Sequence, residues 1–231
     1  MSNFWKNKKV LITGASGFIG KNLTKSFEKE KTKVVALIRN KQKLKFKSRN
    51  IIVKKVRELT FKNLNKLIKK HDIDTIFHLA ANNDNISLDF PLDIFDSNIK
   101  ASYNLLETCR QNKKKIKRII VPSSKEVRRG GKEISRNTFH PYAISKKCVE
   151  LLAKTYSNIY NLDLQIIYFD NVYGEGDLNF NRLIPNFIKS LYSKKKFKLR
   201  NSSKDKRAYI YIDDLINALK FSVEHSKKCK K

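Results

Sequence analysis

"LITGASGFIG" (Leu11–Gly20) decides the fold. Three glycines, Gly14, Gly17 and Gly20, stand at three-residue intervals just after an apolar run. The preceding "KVLIT" (Lys9–Thr13) reads as a strand, and Phe18–Glu30 reads as a helix. A tight turn between them needs a bare backbone or a positive φ. The N–H groups at the helix start then point at whatever fills the turn, and phosphate is the natural guest. We expect a dinucleotide there rather than a purely structural turn.

Outward from that turn the pattern repeats. Strands are expected at Lys33–Ile38, Asn50–Val56, Asp74–Ala80, Ile116–Val121 and Leu164–Phe169. Pro122 is expected to halt the fifth. Helical spacing runs over Phe61–Lys70 and Ser97–Gln111, and a long helix follows Pro141, which suits the first helical position. This alternation predicts an α/β fold: a doubly wound parallel sheet with helices on both faces. The 231 residues suffice for one domain, 1–231, with a sizeable core.

Composition narrows the function class. Lysine and arginine number 51 against 21 acids, a formal net charge of +30. The lysines are spread along the chain, and runs such as "NKKKIKR" (Asn112–Arg118) and "SKKKFK" (Ser193–Lys198) fall where turns belong. They read as solvated surface rather than a nucleic-acid site, although the charge attracts polyanions at low salt. No apolar run is long enough to span a bilayer, and the N-terminus lacks the apolar stretch of a signal peptide. Cys109, Cys148 and Cys229 form no CxxC pair. We therefore expect a cytoplasmic protein with reduced thiols, no metal site and no membrane partner. His78 and His140 lack ligand partners in the sequence. Asp213 and Asp214 are expected to cap the helix that follows them.

The glycine spacing is GxxGxxG, and further motifs follow in order: "HLAA" (His78–Ala81), "SNIKASYNLLETC" (Ser97–Cys109), "PSSKEV" (Pro122–Val127), "PYAISKKCVE" (Pro141–Glu150), "NVYGEGD" (Asn171–Asp177) and "RAYIYIDDLINAL" (Arg207–Leu219). Together they resemble the extended short-chain dehydrogenase/reductase family of nucleotide-sugar epimerases, dehydratases and ketoreductases, over nearly the whole chain. The resemblance implies a Rossmann-type fold with substrate-side elements embedded at 171–212. It implies cofactor contacts from Gly14, Ser16, Gly17, Phe18, Ile19 and Gly20 in the turn, from Leu79, Ala80 and Ala81 after the fourth strand, and from Asn98, Tyr142 and Lys146. Glu58, with Leu59, fits the family position of an acid near the adenine.

The same resemblance implies the chemistry. Tyr142 and Lys146 lie four apart on one helix face. A free tyrosine titrates near ~10, and a neighbouring ammonium and a positive nicotinamide lower that value. Tyr142 would take a proton from a sugar hydroxyl as hydride leaves the same carbon. Lys146 would hold the nicotinamide ribose, and Ser124 would orient the reacting oxygen. Glu126 stands where the dehydratases keep an acid/base glutamate, though a hydrogen-bonded loop glutamate is the plainer reading. Asn171 and Arg207 fall on the substrate side.

Cofactor choice turns on the end of the second strand. "ALIRNK" puts Ile38 where an NAD-selective acid would sit, with Arg39 next and Lys41 nearby. We expect NADP over NAD. Departures from the family are Arg128 and Arg129 in place of Tyr-Gly, Tyr168 in place of an arginine, Asp170, and a short C-terminus. The last implies an incomplete substrate lobe, with a homodimer or a partner chain completing the site. The expected function is a nucleotide-sugar epimerase or dehydratase. The alternatives are a 4-ketoreductase, or a catalytically impaired dinucleotide-binding, RNA-associated protein.

Overall fold

In the computed structural model, which describes residues 3–39, 44, 46–82, 88–124, 140–199 and 206–226, the strand β1 (Lys9–Thr13) lies at the middle of a six-stranded sheet. In chain order there follow α1 (Phe18–Ser26), β2 (Lys33–Ile38), β3 (Ile51–Lys55), α2 (Phe61–His71), β4 (Thr75–His78), α3 (Pro91–Phe95) and α4 (Ala101–Gln111). Then come β5 (Arg118–Ser124), α5 (Pro141–Tyr160), β6 (Leu164–Phe169), β7 (Val172–Tyr173), α6 (Leu183–Tyr192), β8 (Ile210–Tyr211) and α7 (Ile212–Glu224). All pairings are parallel, in the order β3-β2-β1-β4-β5-β6. The strand order reverses between β1 and β4, where ligands of open α/β sheets bind.

Side chains alternate across each strand, so β1 feeds two cores. Val10 and Ile12 pack with Leu23 of α1 and Leu215 and Leu219 of α7. Leu11 packs with Leu64 of α2, Leu105 of α4 and Val149 of α5. Each fully buried side chain of this kind contributes roughly 1.5–3 kcal/mol. The sheet is thereby pinned between two helical layers, and its strand ends are fixed in space.

Local chemistry sets the helix ends. Gly17 is the N-cap of α1. The Thr60 hydroxyl accepts from the Asn63 amide to cap α2, and left-handed Asp72 closes it. Pro141 begins α5 as expected, behind His140. Asp213 and Asp214 sit inside the first turn of α7 and make no side-chain cap, because Tyr211 holds the cap position. Their charge complements the helix dipole instead.

Two expectations shift. β5 runs through Pro122 to Ser124 rather than stopping. Its ladder with β4 ends at Phe77↔Ile120, and only β6 pairs with the rest, so the missing proline N–H removes no bond to β4. The helix expected from Ser97 begins earlier, at Pro91, and passes through a π-helical turn, Asp96–Lys100, into α4. Such wide turns commonly mark functional positions.

Candidate functional site

A cleft of about 1400 Å³ opens at the carboxyl ends of β1, β4 and β5. Single small-molecule pockets usually measure ~300–1,000 Å³, so it has room for two ligands side by side. One wall is the glycine turn. Gly14 has φ +67°, and a Cβ there would stand 2.7 Å from the Ala80 nitrogen. A Cβ on Gly20 would stand 2.2 Å from the Gly14 carbonyl oxygen. Gly14 and Gly20 are therefore required by close backbone packing of the turn.

The electrostatics of that wall suit an anion. The first N–H groups of α1 have no intrahelical carbonyl to bond. No acid stands in the first turn, and the Gly17 cap brings no side chain to satisfy them. Ser16, Gly17, Phe18 and Ile19 line the cleft there. A dinucleotide diphosphate fits this donor set.

The opposite wall is α5. Tyr142 and Lys146 both line the cleft, and the Lys146 ammonium lies 5.8 Å from the centroid of the Tyr142 ring. Burial holds the lysine pKa down, from 10.5 to about 8. Ser123 lines the cleft beside them. Ser124 closes β5 opposite Phe169 in the ladder, and Glu126 lies outside the described residues. Leu79 and Ala81 line the cleft after β4. On the far side stand Asn171 and Arg207. Asn171, with φ 42°, donates through its amide to the Ala208 carbonyl at 3.0 Å. That bond fixes the corner where β7 meets β8.

Other expected residues stand back from the cleft wall. Glu58 and Leu59 occupy the turn between β3 and α2, where the Glu58 carbonyl accepts from the Asn63 side chain. Arg39, just past β2, reaches across to Asn82 Oδ1 at 3.2 Å and Ser97 Oγ at 3.5 Å. Lys41, Arg128 and Arg129 lie outside the described residues. The Asn98 side chain is buried under the cleft floor rather than lining it. Its Oδ1 accepts from the Asn82 amide at 2.8 Å, and its Nδ2 donates to the Asn82 carbonyl at 3.2 Å and to Ser145 Oγ at 2.9 Å.

A buried polar run that sequence reading missed joins these walls. The Ala80 amide donates to Thr13 Oγ1 at 3.1 Å, and Thr13 Oγ1 meets His78 Nδ1 at 2.9 Å. His78 Nε2 meets Ser102 Oγ at 2.9 Å, and the Ser102 hydroxyl donates to the Asn98 carbonyl. Ser102 must then accept from His78 Nε2–H, which leaves Nδ1 to accept from Thr13. Burial, with the Lys146 charge as a lesser cause, lowers the His78 pKa from 6.5 to about 3. His78 is thus a neutral imidazole in one tautomer. The signal was present: Ser102 interrupts the apolar stripe of α4 three residues before Leu105, and Ser145 that of α5 four residues before Val149.

Known proteins align with this architecture. At 31% identity over 91% of this chain, the chain matches a dTDP-D-glucose 4,6-dehydratase of Dictyostelium discoideum, and spans 54% of that protein's length. A UDP-glucuronate 4-epimerase of Thermodesulfobacterium geofontis is 29% identical over 89% of this chain and 68% of its own length. The solved UDP-N-acetylglucosamine 4-epimerase of Methanobrevibacter ruminantium, in complex with UDP-N-acetylmuramic acid, superposes with a TM-score of 0.81. It is 26% identical, covering 95% of this chain and 74% of that one. A UDP-glucuronic acid 4-epimerase of Bacillus cereus, in complex with NAD and a fluorinated UDP-glucuronic acid, gives 0.77 at 26% identity, over 94% and 72% of the two chains. The profile of one family covers residues 10–231, almost the whole sequence including the glycine turn and α5, and the chain belongs to it: the NAD dependent epimerase/dehydratase family, within the extended short-chain dehydrogenases/reductases.

Proposed function

We propose that this chain oxidises a sugar carbon of a nucleotide sugar and returns the hydride either to the same carbon, as an epimerase, or to another carbon of the sugar after loss of water, as a dehydratase, with NAD(P) in the glycine-turn half of the cleft. The observation that carries the reading is the placement of Tyr142 and Lys146 on one wall, facing an anion-ready helix start on the other. The cofactor supplies a hydride acceptor next to that sugar carbon. Tyr142 removes the hydroxyl proton of the same carbon, helped by the Lys146 charge one helical turn away. Lys146 also bonds the nicotinamide ribose. Ser124, at the end of β5, orients the reacting oxygen. Glu126 acts as a second acid/base if water is eliminated. Asn171 and Arg207 hold the nucleotide sugar on the far side.

We assign NADP as the preferred cofactor. β2 ends in buried Ile38, with no acid to accept from an adenosine ribose, and Arg39 follows. Only two of the five guanidinium N–H groups of Arg39 are needed for Asn82 and Ser97. The others remain for a 2′-phosphate. A 4-ketoreductase would use the same tyrosine and lysine. It differs in needing net input of reduced cofactor.

The test is incubation of the purified chain with NAD, NADP, NADH or NADPH and a panel of UDP-, dTDP- and CDP-sugars and their 4-keto derivatives, followed by mass spectrometry of the products. Conversion at catalytic cofactor supports epimerase or dehydratase chemistry. Conversion that consumes reduced cofactor one-for-one makes the chain a reductase. Cofactor binding without any conversion would leave a dinucleotide-binding protein.

A further inference from the structure

We propose that Ser145 and His78 are positioning residues, which tie the Tyr142–Lys146 face of α5 to the backbone beside the glycine turn through one unbroken line of hydrogen bonds. The proposal rests on the reading of Tyr142 and Lys146 as the reacting pair. The line starts at the Ala80 amide, whose neighbours line the cleft. It passes Thr13, His78 and Ser102 to the Asn98 carbonyl. From the Asn98 side chain it continues to Ser145 Oγ, and the Ser145 hydroxyl donates to the Tyr142 carbonyl at 2.7 Å.

Three features make this more than packing. Each linking side chain is buried: Thr13, Ser102 and Ser145 are 0%, 3% and 0% exposed, and His78 and Asn98 are 4% and 2% exposed. A polar group left unpaired in that layer forfeits both water and its partner, so the line holds as a unit. Its donors and acceptors are fixed in one direction up to Asn98, because a neutral His78 has only one tautomer that satisfies both Thr13 and Ser102. And it ends on Tyr142 itself, in the first turn of α5, where the His140 side chain makes no cap bond. The bond from Ser145 to a carbonyl three residues back is ordinary in helices. The bond it receives from Asn98, 47 residues away, is not. That second bond fixes the first turn of α5 against the π-helical turn and hence against β4.

The position of α5 sets where the tyrosine oxygen and the lysine ammonium stand over the cleft. A shift of ~1 Å in such a group costs about 100-fold in rate. His78 does no proton transfer in this scheme. Its role is length and direction: it spans from Thr13 on one strand to Ser102 on a helix.

The experiment compares Ser145→Ala with Ser145→Thr. Threonine keeps a hydroxyl on the same Cβ, and in helices that hydroxyl bonds carbonyls three or four residues back. With a nucleotide sugar that the wild type converts, Ser145→Ala is expected to lower kcat about 10–100-fold with KM little changed, and Ser145→Thr to recover most of it. His78→Phe, which keeps a ring and removes both bonds, should lower kcat similarly without displacing a limb of the pH profile. A second readout needs no substrate: the pH dependence of Lys146 acetylation by acetic anhydride, followed by peptide mass spectrometry. Among the described residues, the titratable groups shown beside that ammonium are His78 on β4 and Tyr142 on α5. Loosening α5 admits water to Lys146, so Ser145→Ala should move its labelling midpoint upward from near 8, and Ser145→Thr should not. An unmoved midpoint in a folded Ser145→Ala protein would overturn the proposal whatever the activity. Unchanged kcat in that variant would do the same. A wild type that converts no nucleotide sugar, with the labelling shift present in Ser145→Ala, would sink the functional reading and keep the tether.

Discussion

Lys146 sits one helical turn after Tyr142, its ammonium 5.8 Å from the centre of the tyrosine ring, and both face the cleft. The ring and the ammonium are therefore separable by mutation. Tyr142→Phe keeps the ring and removes only the hydroxyl. We expect cofactor binding within about two-fold of wild type and turnover at least ~100-fold lower, the scale of a lost general acid/base. Steady-state kinetics beside a cofactor titration checks both, and full turnover in the phenylalanine variant removes the tyrosine from the mechanism.

The partly buried lysine makes a stability prediction with a definite sign. Its pKa is lowered by burial from 10.5 to about 8. Between those values the unfolded chain holds the proton and the folded chain has released it. Stability linked to this group therefore rises with pH across that window, and is flat below it. Lys146→Met removes the increment. Urea midpoints of the two proteins should converge as pH rises through the window if wild type starts lower. Parallel curves would mean that the ammonium is hydrated in the folded protein.

Gly20→Ala should damage the turn more than its size suggests. The added Cβ would meet the Gly14 carbonyl oxygen at 2.2 Å, backbone against backbone, where nothing flexible can yield. Overpacking of this kind costs about 1–3 kcal/mol. The displaced turn would also misaim the first amides of α1. Thermal melts should show the loss, and cofactor titration should show binding at least ~10-fold weaker. Gly17→Ala, with its nearest contact at 3.3 Å, should be milder on both counts.

Arg39→Ala should weaken NADPH more than NADH, since only NADPH carries a 2′-phosphate. The bonds from Arg39 to Asn82 and Ser97 add a control. Asn82→Ala frees the guanidinium without removing it, so it should not share the cofactor discrimination of Arg39→Ala. Equal losses of both cofactors in Arg39→Ala would assign the arginine to holding the segment after β4.

The sheet was legible because its evidence is local. "KVLIT", "KVVALI" and "LQIIYF" are short apolar runs, and the structure places strands on each. Pro122 misled because its effect depends on which neighbour the strand still has at that residue, a property of the ladder rather than of the proline. Helix α6 escaped notice although Leu183, Phe187, Ile188, Leu191 and Tyr192 stand at helical spacing on one face; that face is exposed to a third or more rather than buried in the core. Its Pro185 also reads as a breaker, although a first-turn proline is tolerated. At the site, the glycine turn and the Tyr142–Lys146 spacing were readable as motifs. The bonds from Arg39 and the line through His78 were not. They join residues far apart in sequence, and each partner alone looks like an ordinary polar side chain.

The π-helical turn at Asp96–Lys100 carries a consequence for how this segment can vary. Successive residues of an α-helix are turned by about 100° around its axis. The wide turn absorbs one extra residue without changing the phase of the helices on either side, so a one-residue deletion between Asp96 and Lys100 would let α3 and α4 fuse into a regular helix. The flanking helices would keep their orientation, and the residues inside the turn would be the ones to rotate, by up to that angle. Ile94 and Leu105, buried on opposite sides of the wide turn, could both stay inside, but Asn98 within it would be re-aimed and would lose Asn82 or Ser145. The segment therefore tolerates changes of residue far better than changes of length.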